Sequence, residues 1–167
     1  MRKGLITGLA LLATALPASA QEASPQALQI TALNVTAVQA ERDGTEGVAL
    51  PGDVIEYGLR FTNVTDADIS DVHFTDPVPP GLVYILGTVT ADREDVVVDY
   101  SVNGGIDWSH QPTVDVTQPD GSVVRQPAPA AAYTHVRWTI SGTVAAGAQV
   151  TARFRAQVPG TRQGAGS

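Results

Sequence analysis

The 167-residue sequence contains no cysteine. Disulfide cross-links, cysteine nucleophiles and an acylated lipoprotein anchor are therefore excluded, because each of them needs a thiol. Patterns typical of helices are nearly absent after residue 20, and no run beyond that point is long and apolar enough to cross a bilayer. The fold must be held by side-chain packing alone.

The first 20 residues have the pattern of a secretory signal peptide. A short positive segment precedes an apolar run at 5–16, and Ala18-Ser19-Ala20 is a typical cleavage site. The apolar run has about a dozen residues, whereas a membrane-spanning helix needs roughly 20, so cleavage is favoured over the alternative of a signal anchor. We therefore expect an exported protein, periplasmic or extracellular.

Charge and length narrow the class of the mature protein. Cleavage after Ala20 leaves 147 of the 167 residues, a size that suits one domain. It also removes Arg2 and Lys3, so the net charge changes from −7 to −9. Nucleic acids and anionic membranes bind to basic surfaces, so we predict neither as a partner.

Residues 27–158 are predicted to form one all-β domain, preceded by a flexible segment at 21–26 and followed by a disordered tail at 159–167. The clearest strand is expected at 53–63, where an apolar row alternates with polar residues. Strict alternation with period two buries one face of a strand and leaves the other in water. The apolar row consists of Ile55, Tyr57, Leu59 and Phe61.

The same alternation recurs near the end of the chain, at 134–140 and 150–158. Only a short connection, Ala145-Ala146-Gly147, is apparent between them, so the pattern predicts that these two strands form a hairpin. A weaker strand or pair of strands is predicted at 28–38, and weaker strands at 69–75, 82–90 and 96–102, with a small excursion hairpin at 113–117 and 122–125. About seven main strands at this spacing favour a two-sheet β-sandwich over a barrel.

Several segments also carry a family resemblance. They are Pro51 to Tyr57 (PGDVIEY), Phe61 to Thr65 (FTNVT), Val72 to Leu82 (VHFTDPVPPGL), Tyr100 to Gly105 (YSVNGG), and the closing YTHVRW and FRAQV at 133–138 and 154–158. In this order they resemble the DUF11 family, a module of exported bacterial and archaeal proteins. The resemblance covers nearly the whole domain. It implies an immunoglobulin-like sandwich and a role at cell surfaces or walls.

Three sets of side chains are candidates for binding. The first is a basic patch on the outer face of the predicted closing hairpin, formed by Arg137, Arg153 and Arg155 with His135 beside them. It is interpreted either as a solvated sheet face paired to nearby carboxylates or as a contact for an anionic polymer or an acidic partner. The second is an acidic loop with Asp66, Asp68 and Asp71, which either holds Ca²⁺ or, as the turn favours for Asp66 and Asp68, bonds nearby backbone amides.

The third candidate is Trp108, an exposed platform on which a sugar ring could stack, whereas Trp138 lies on the predicted core face. Trp108 also ends Ser101-x-Asn103-x-Gly105-x-x-Trp108, which matches the Asp-box turn of sialidase propellers and favours a structural hairpin turn. No G-x-S-x-G elbow occurs, and the three histidines lack zinc-site spacing.

These observations favour a non-catalytic structural or interaction module of the cell envelope. It is expected to need no cofactor, to be a monomer, and to bind an unidentified envelope protein or polymer. A carbohydrate-binding domain is the alternative, and a hydrolase using a carboxylate pair is a further one. Strand-donation assembly is less favoured, because the chain has a full complement of strands.

Overall fold

The computed structural model describes residues 27–45 and 47–160. The predicted signal peptide, the segment at 21–26 and the tail from residue 161 onward lie outside this range. Within it, the chain folds into ten strands, one short helix and one 3₁₀ turn. The strands are β1 (Leu28–Asn34), β2 (Val54–Thr62), β3 (His73–Pro77), β4 (Val83–Tyr84), β5 (Thr90–Ala91), β6 (Val96–Ser101), β7 (Thr113–Thr117), β8 (Val123–Pro127), β9 (His135–Ile140) and β10 (Gln149–Gln157). The helix is α1 (Val35–Gln39), and the 3₁₀ turn spans Ala130–Ala132.

The strands form two main antiparallel sheets and a separate hairpin. The larger sheet has the order β1-β2-β10-β4, with β5 also paired to β10, and the smaller sheet has the order β3-β9-β6. The predicted excursion hairpin is present as β7 and β8. The chain is therefore an all-β sandwich, as the alternating pattern predicts.

The core lies between the two sheets. Leu59 and Phe154 of the larger sheet are buried against Val136 and Trp138 of the smaller one. The ring of Trp138 lies 5.7 Å from Phe74 and 6.3 Å from Phe154, centroid to centroid. The predictions that β2, β9 and β10 each bury one alternating face, and that Trp138 is a packing residue, are confirmed.

The predicted hairpin of β9 and β10 is wrong. β9 pairs with β3 and β6, whereas β10 pairs with β2, β4 and β5, so the two strands lie in different sheets. The connecting segment crosses the end of the sandwich, where Val144 pairs with Ile69. The side chain of Asn63 fixes this crossing by donating to the carbonyl oxygens of Val144 and Ala145 at 3.0 and 3.1 Å.

Other predicted strands are shorter in the structure. The first strand ends at Asn34, whose side-chain oxygen accepts a hydrogen bond from Ala37 N at 2.8 Å and so starts α1. The strand predicted from residue 69 begins only at His73, after Asp71 takes a positive φ of 56°. The strand predicted at 82–90 is replaced by the two short strands β4 and β5, because the chain turns between them at Gly87.

Candidate functional site

The four residues of the predicted basic patch lie on two opposite faces of the molecule. The inward side of β9 carries Val136, so His135 and Arg137 point outward from the smaller sheet. Arg153 and Arg155 point outward from the larger sheet, because β10 buries the residues between them. A single patch is therefore wrong, and the cause is the crossing of the chain between β9 and β10.

The outer face of the larger sheet carries three arginines, Arg60, Arg153 and Arg155, which we call the arginine face. In the β2–β10 register, Arg155 lies opposite Glu56 and Arg60 lies opposite Thr151. Cross-strand neighbours on one face are about 5 Å apart, and diagonal ones about 7–8 Å. The three guanidinium groups therefore share one continuous surface.

Glu56 is the carboxylate that two of these arginines share. Its oxygens lie 2.8 Å from Nη2 of Arg155 and 3.6 Å from Nη1 of Arg153. The two arginine side chains are nevertheless 47% and 59% exposed. Arg60 is exposed, and within the described part of the chain no carboxylate pairs with it. This face keeps cationic groups available to solvent.

Two shallow hollows lie on the arginine face. The larger, about 520 Å³, runs from Glu56 and the two β10 arginines to Thr88, Thr90 and Asp92. The smaller, about 240 Å³, lies over Gly58, where the missing side chain leaves a depression between Thr31 and Arg153. Asp92 is already engaged, since it accepts hydrogen bonds from the backbone N–H and the hydroxyl of Thr151. Together the hollows form a groove edged by arginine and threonine side chains.

The outer face of the smaller sheet is built around the Asp-box turn. Ser101 Oγ accepts hydrogen bonds from the backbone N–H groups of Gly105 at 2.9 Å and Asn103 at 3.3 Å. Asn103 Oδ1 accepts another from Asp107 N at 2.9 Å. The turn brings Trp108 back over β9, so the motif has the structural role that its spacing predicts.

Trp108 is half-buried rather than an open platform. The guanidinium carbon of Arg137 lies 4.3 Å from the centroid of the Trp108 ring, and the ring of His135 meets it edge-on at 6.3 Å. Arg137 Nη2 also donates to Asp99 at 3.1 Å. We call Trp108, Arg137 and Asp99 the tryptophan clamp. Arg137 is only 28% exposed, so its charge interacts mainly with Asp99 and the Trp108 ring.

One side of Trp108 still borders open space. A hollow of about 350 Å³ lies between the Asp-box turn and the β7–β8 hairpin. Polar side chains lining it with Trp108 include Asn103, Asp107, Asp115 and Arg125. An aromatic edge beside carboxylates and an arginine can take up a polar ring compound.

The acidic loop does not assemble a cation site. Asp68 accepts a hydrogen bond from Ala146 N at 3.1 Å, Asp71 lies at the positive-φ position before β3, and Asp66 is exposed. Across residues 27–45 and 47–160, no three carboxylate or histidine side chains lie together in a metal-binding arrangement. The calcium candidates are separate turn and surface residues.

Two aspartates, Asp53 and Asp76, are buried in the structure. Asp53, 4% exposed, accepts hydrogen bonds from Asn34 Nδ2 at 2.7 Å, Arg42 Nη2 at 2.9 Å and Leu50 N at 2.9 Å. The hydrogen bond from Arg42, helped by those from Leu50 and Asn34, lowers the pKa of Asp53 to about 2. This carboxylate joins β1 and the segment after α1 to the start of β2.

Asp76, on β3, is also 4% exposed, but its Oδ2 has no hydrogen-bond partner within the described residues. Burial raises the pKa of its carboxyl to about 6, because the charged form is desolvated. The sequence could have indicated this burial, because Asp76 is two residues from Phe74 in β3 and so lies on the same buried face. Arg60 could likewise be found from its place on the polar row of β2.

Comparison with protein-family models and with curated proteins finds no match for this chain. The DUF11 resemblance and its immunoglobulin-like topology therefore stay predictions. Among the helices that the structure describes, none is long and apolar enough to span a bilayer.

Proposed function

We propose that this chain is a non-catalytic interaction module of the cell envelope, exported from the cytoplasm, which binds an anionic partner through the arginine face. The observation that carries the proposal is the exposure of Arg60, Arg153 and Arg155 on one open sheet face with Glu56 as the shared counter-ion. On a chain of net charge −7, a local cationic surface is unusual and can attract an anionic ligand.

The chemistry of the face suits carboxylate or phosphate groups carried by a polymer. A guanidinium group offers several donors in a planar fork that matches these anions. The hydroxyl of Thr90 lies along the same groove and can donate to sugar or peptide oxygens, whereas those of Thr88 and Thr151 already donate to Ile85 O and Asp92. A shallow groove on an open sheet face suits an extended chain better than an enclosed small molecule.

The positions of the two aspartates with strongly shifted pKa values support binding over catalysis. Active sites collect such groups in the cleft that holds the substrate. Here Asp53 acts as a structural link at the start of β2, and Asp76 lies inside the sandwich. Neither is among the residues that line the groove.

A sedimentation assay with insoluble envelope polymer tests the proposal. The probes are purified peptidoglycan carrying its anionic polymers and the same material stripped of them. We expect binding of the mature chain to the first, falling at least about tenfold in Arg153→Gln/Arg155→Gln and weakening as salt rises. Arg125→Gln, an exposed arginine on the excursion hairpin, is the matched control. Equal binding by the double variant would overturn the proposal.

A carbohydrate-binding role is the second candidate, because the hollow beside Trp108 combines an aromatic ring with polar side chains. Neutral glycans would then bind with little dependence on salt. Trp108→Ala would abolish that binding, while Arg153→Gln/Arg155→Gln would not change it. Titration with soluble peptidoglycan fragments and neutral oligosaccharides, followed by calorimetry, separates the two candidates.

A further inference from the structure

Strand β1 is an edge of the larger sheet, and no strand formed by the described residues pairs with its outer side. It is seven residues long, LQITALN, and contains no charge, proline or glycine. Its inward side chains are left in solvent: Ile30 is 54% exposed and Leu28 39%. Long, uncharged, apolar edges of this kind are templates for pairing with another strand.

Other described edges of the two main sheets are protected. At one end of the outer edge of β6, Ser109 exchanges backbone hydrogen bonds with Tyr100 at 2.9 and 3.0 Å, and the strand contains the charged Asp99. β3 is five residues long, contains Asp76 and ends in Pro77. β4 and β5 have two residues each. Charges, proline and shortness all discourage edge pairing, so β1 stands apart.

Two hydrogen bonds show which backbone groups of β1 face outward. Thr62 N donates to Ala27 O, so the odd-numbered residues pair with β2. Asn34 N instead donates to Gly44 O at 2.8 Å, on the side away from β2. Because antiparallel strands alternate in this respect, Leu28, Ile30 and Ala32 direct their N–H and C=O groups to the free edge.

The Gly44 segment also limits where a new strand can lie. It occupies the outer edge at Asn34, so within the described strand the residues open to an added strand are Leu28, Ile30 and Ala32. These three residues are symmetric about Ile30. An antiparallel copy of β1 therefore places Ile30 opposite its own equivalent and Leu28 opposite Ala32 of the second copy, matching all the outward groups.

We propose that β1 pairs with β1 of a second copy of this chain, antiparallel and centred on Ile30, to form a two-fold symmetric dimer. Two copies of an acidic chain repel each other, so their contact should lie where no charges face one another. β1 meets this condition, because it has no charged residue. The dimer joins the two larger sheets and extends the apolar row Ala152–Leu59–Ile30 into the second copy. A closed two-fold interface of this kind cannot grow into a fibre.

The dimer would bring the two arginine faces to the same side of one continuous sheet. Strands in a sheet are about 4.8 Å apart, so the two β2 strands would lie about 14 Å from each other. Pairing of the two β1 strands does not require the proposed ligand. If both hold, the two grooves would bind one polymer chain together.

Analytical ultracentrifugation of the mature chain over a concentration series tests the dimer. We expect a reversible monomer–dimer equilibrium. Ile30→Glu should raise the dimer dissociation constant at least about tenfold, because two carboxylates then face each other across the pair. Gln29→Glu, on the opposite side of the same strand, is the matched control and should dimerise as the native chain does. A native chain that stays monomeric at roughly millimolar concentration overturns the proposal.

Cross-linking tests the register independently of stability. The chain has no cysteine, so a single introduced cysteine reports only on itself. Ile30→Cys lies on the two-fold axis, with Cα atoms about 5.5 Å apart, and should form a disulfide-linked dimer on mild oxidation. Gln29→Cys should not, because its equivalent lies two residues away along the partner strand. Equal cross-linking of the two variants would contradict the register.

Discussion

The two sheets use arginine in opposite ways. On the larger sheet, Arg153 and Arg155 share Glu56 and stay about half exposed. On the smaller sheet, Arg137 lies over the ring of Trp108 and against Asp99. The alternation of arginine with buried residues is the same in β9 and β10, so alternation alone does not distinguish a binding surface from a structural contact. The side chains that pack over the outer face of each strand decide which of the two roles its arginines have.

The sheets also differ in how they bury an aspartate. Asp53, directly before β2 of the larger sheet, has three hydrogen-bond donors around it, whereas Asp76 in the smaller sheet has an oxygen with no partner among the described residues. The first pKa is lowered to about 2 and the second raised to about 6. A buried carboxylate stabilises the fold when it is paired and opposes it when it is not.

The largest expected effect comes from removing the unpaired charge. Asp76→Asn should raise the free energy of unfolding at pH 7 by about 2–3 kcal/mol, since one pKa unit corresponds to about 1.4 kcal/mol. The folded-state pKa of about 6 lies above the ordinary 3.8. Native stability should therefore fall as pH rises from about 3.8 to about 6 and stay level above that. Urea unfolding at several pH values measures this.

The control for that variant is Asp66→Asn on the exposed loop, which should change stability by less than about 0.5 kcal/mol. If Asp76→Asn leaves the free energy of unfolding at pH 7 unchanged or lowers it, the native carboxyl has a partner in solution. The contrast between the two aspartates would then be lost.

The next largest effect tests the tryptophan clamp. Trp108→Ala should lower the free energy of unfolding by about 2 kcal/mol, because a half-buried ring and its cation–π contact with Arg137 are both lost. Trp108→Phe, which keeps an aromatic face, should lose about half as much. Thermal and urea unfolding give both values. A Trp108→Ala protein of native stability would make Trp108 a free platform, which would favour the carbohydrate-binding alternative.

A smaller effect is expected at Asp53. Asp53→Asn should destabilise the protein at neutral pH, because the charged hydrogen bond with Arg42 is lost and a new donor faces Asn34 Nδ2. Since the native pKa is lowered from 3.8 to about 2, the stabilisation is present above pH 3.8 and is lost as pH falls towards about 2. Unfolding curves of the native chain and the variant should therefore converge in acid. A constant difference down to pH 2 would contradict the assignment.

The smallest effect on stability is expected on the arginine face. Arg153→Gln/Arg155→Gln should change the free energy of unfolding by less than about 0.5 kcal/mol for each residue, because solvent screens exposed ion pairs. Arg137→Gln, in the tryptophan clamp, should cost more while leaving polymer binding intact. Measuring stability and binding for both variants distinguishes the two faces. If both variants lose the same property, the two sheets do not differ in role.

The buried and exposed faces of β2, β9 and β10 could be predicted from the sequence, because the alternation of apolar and polar residues reports burial directly. The side of each strand on which Arg60, Arg137, Arg153 and Arg155 lie follows from it. The sheet to which each strand belongs does not, since pairing depends on contacts distant in sequence, such as that of Ile69 with Val144. The predicted patch failed for this reason alone.

The Asp-box turn could be predicted because its hydrogen bonds join residues at most four apart. The clamp on Trp108 could not, because Arg137 approaches from another strand 29 positions along the chain. The same limit applies to Asp53, whose partner Asn34 is 19 residues away. Contacts between residues close in sequence can be predicted from the sequence. Which side chains cover a sheet face depends on how the sheets assemble.

The most direct test of the arginine face as a binding surface is an NMR titration of the ¹⁵N-labelled mature chain with a soluble anionic envelope polymer. We expect the largest shifts at the backbone amides of β2 and β10 around Arg60, Arg153 and Arg155 and at the nearby threonines Thr88, Thr90 and Thr151. The indole N–H of Trp108 should stay in place. Shifts confined to Trp108 and the Asp-box turn would contradict this and would assign binding to the smaller sheet.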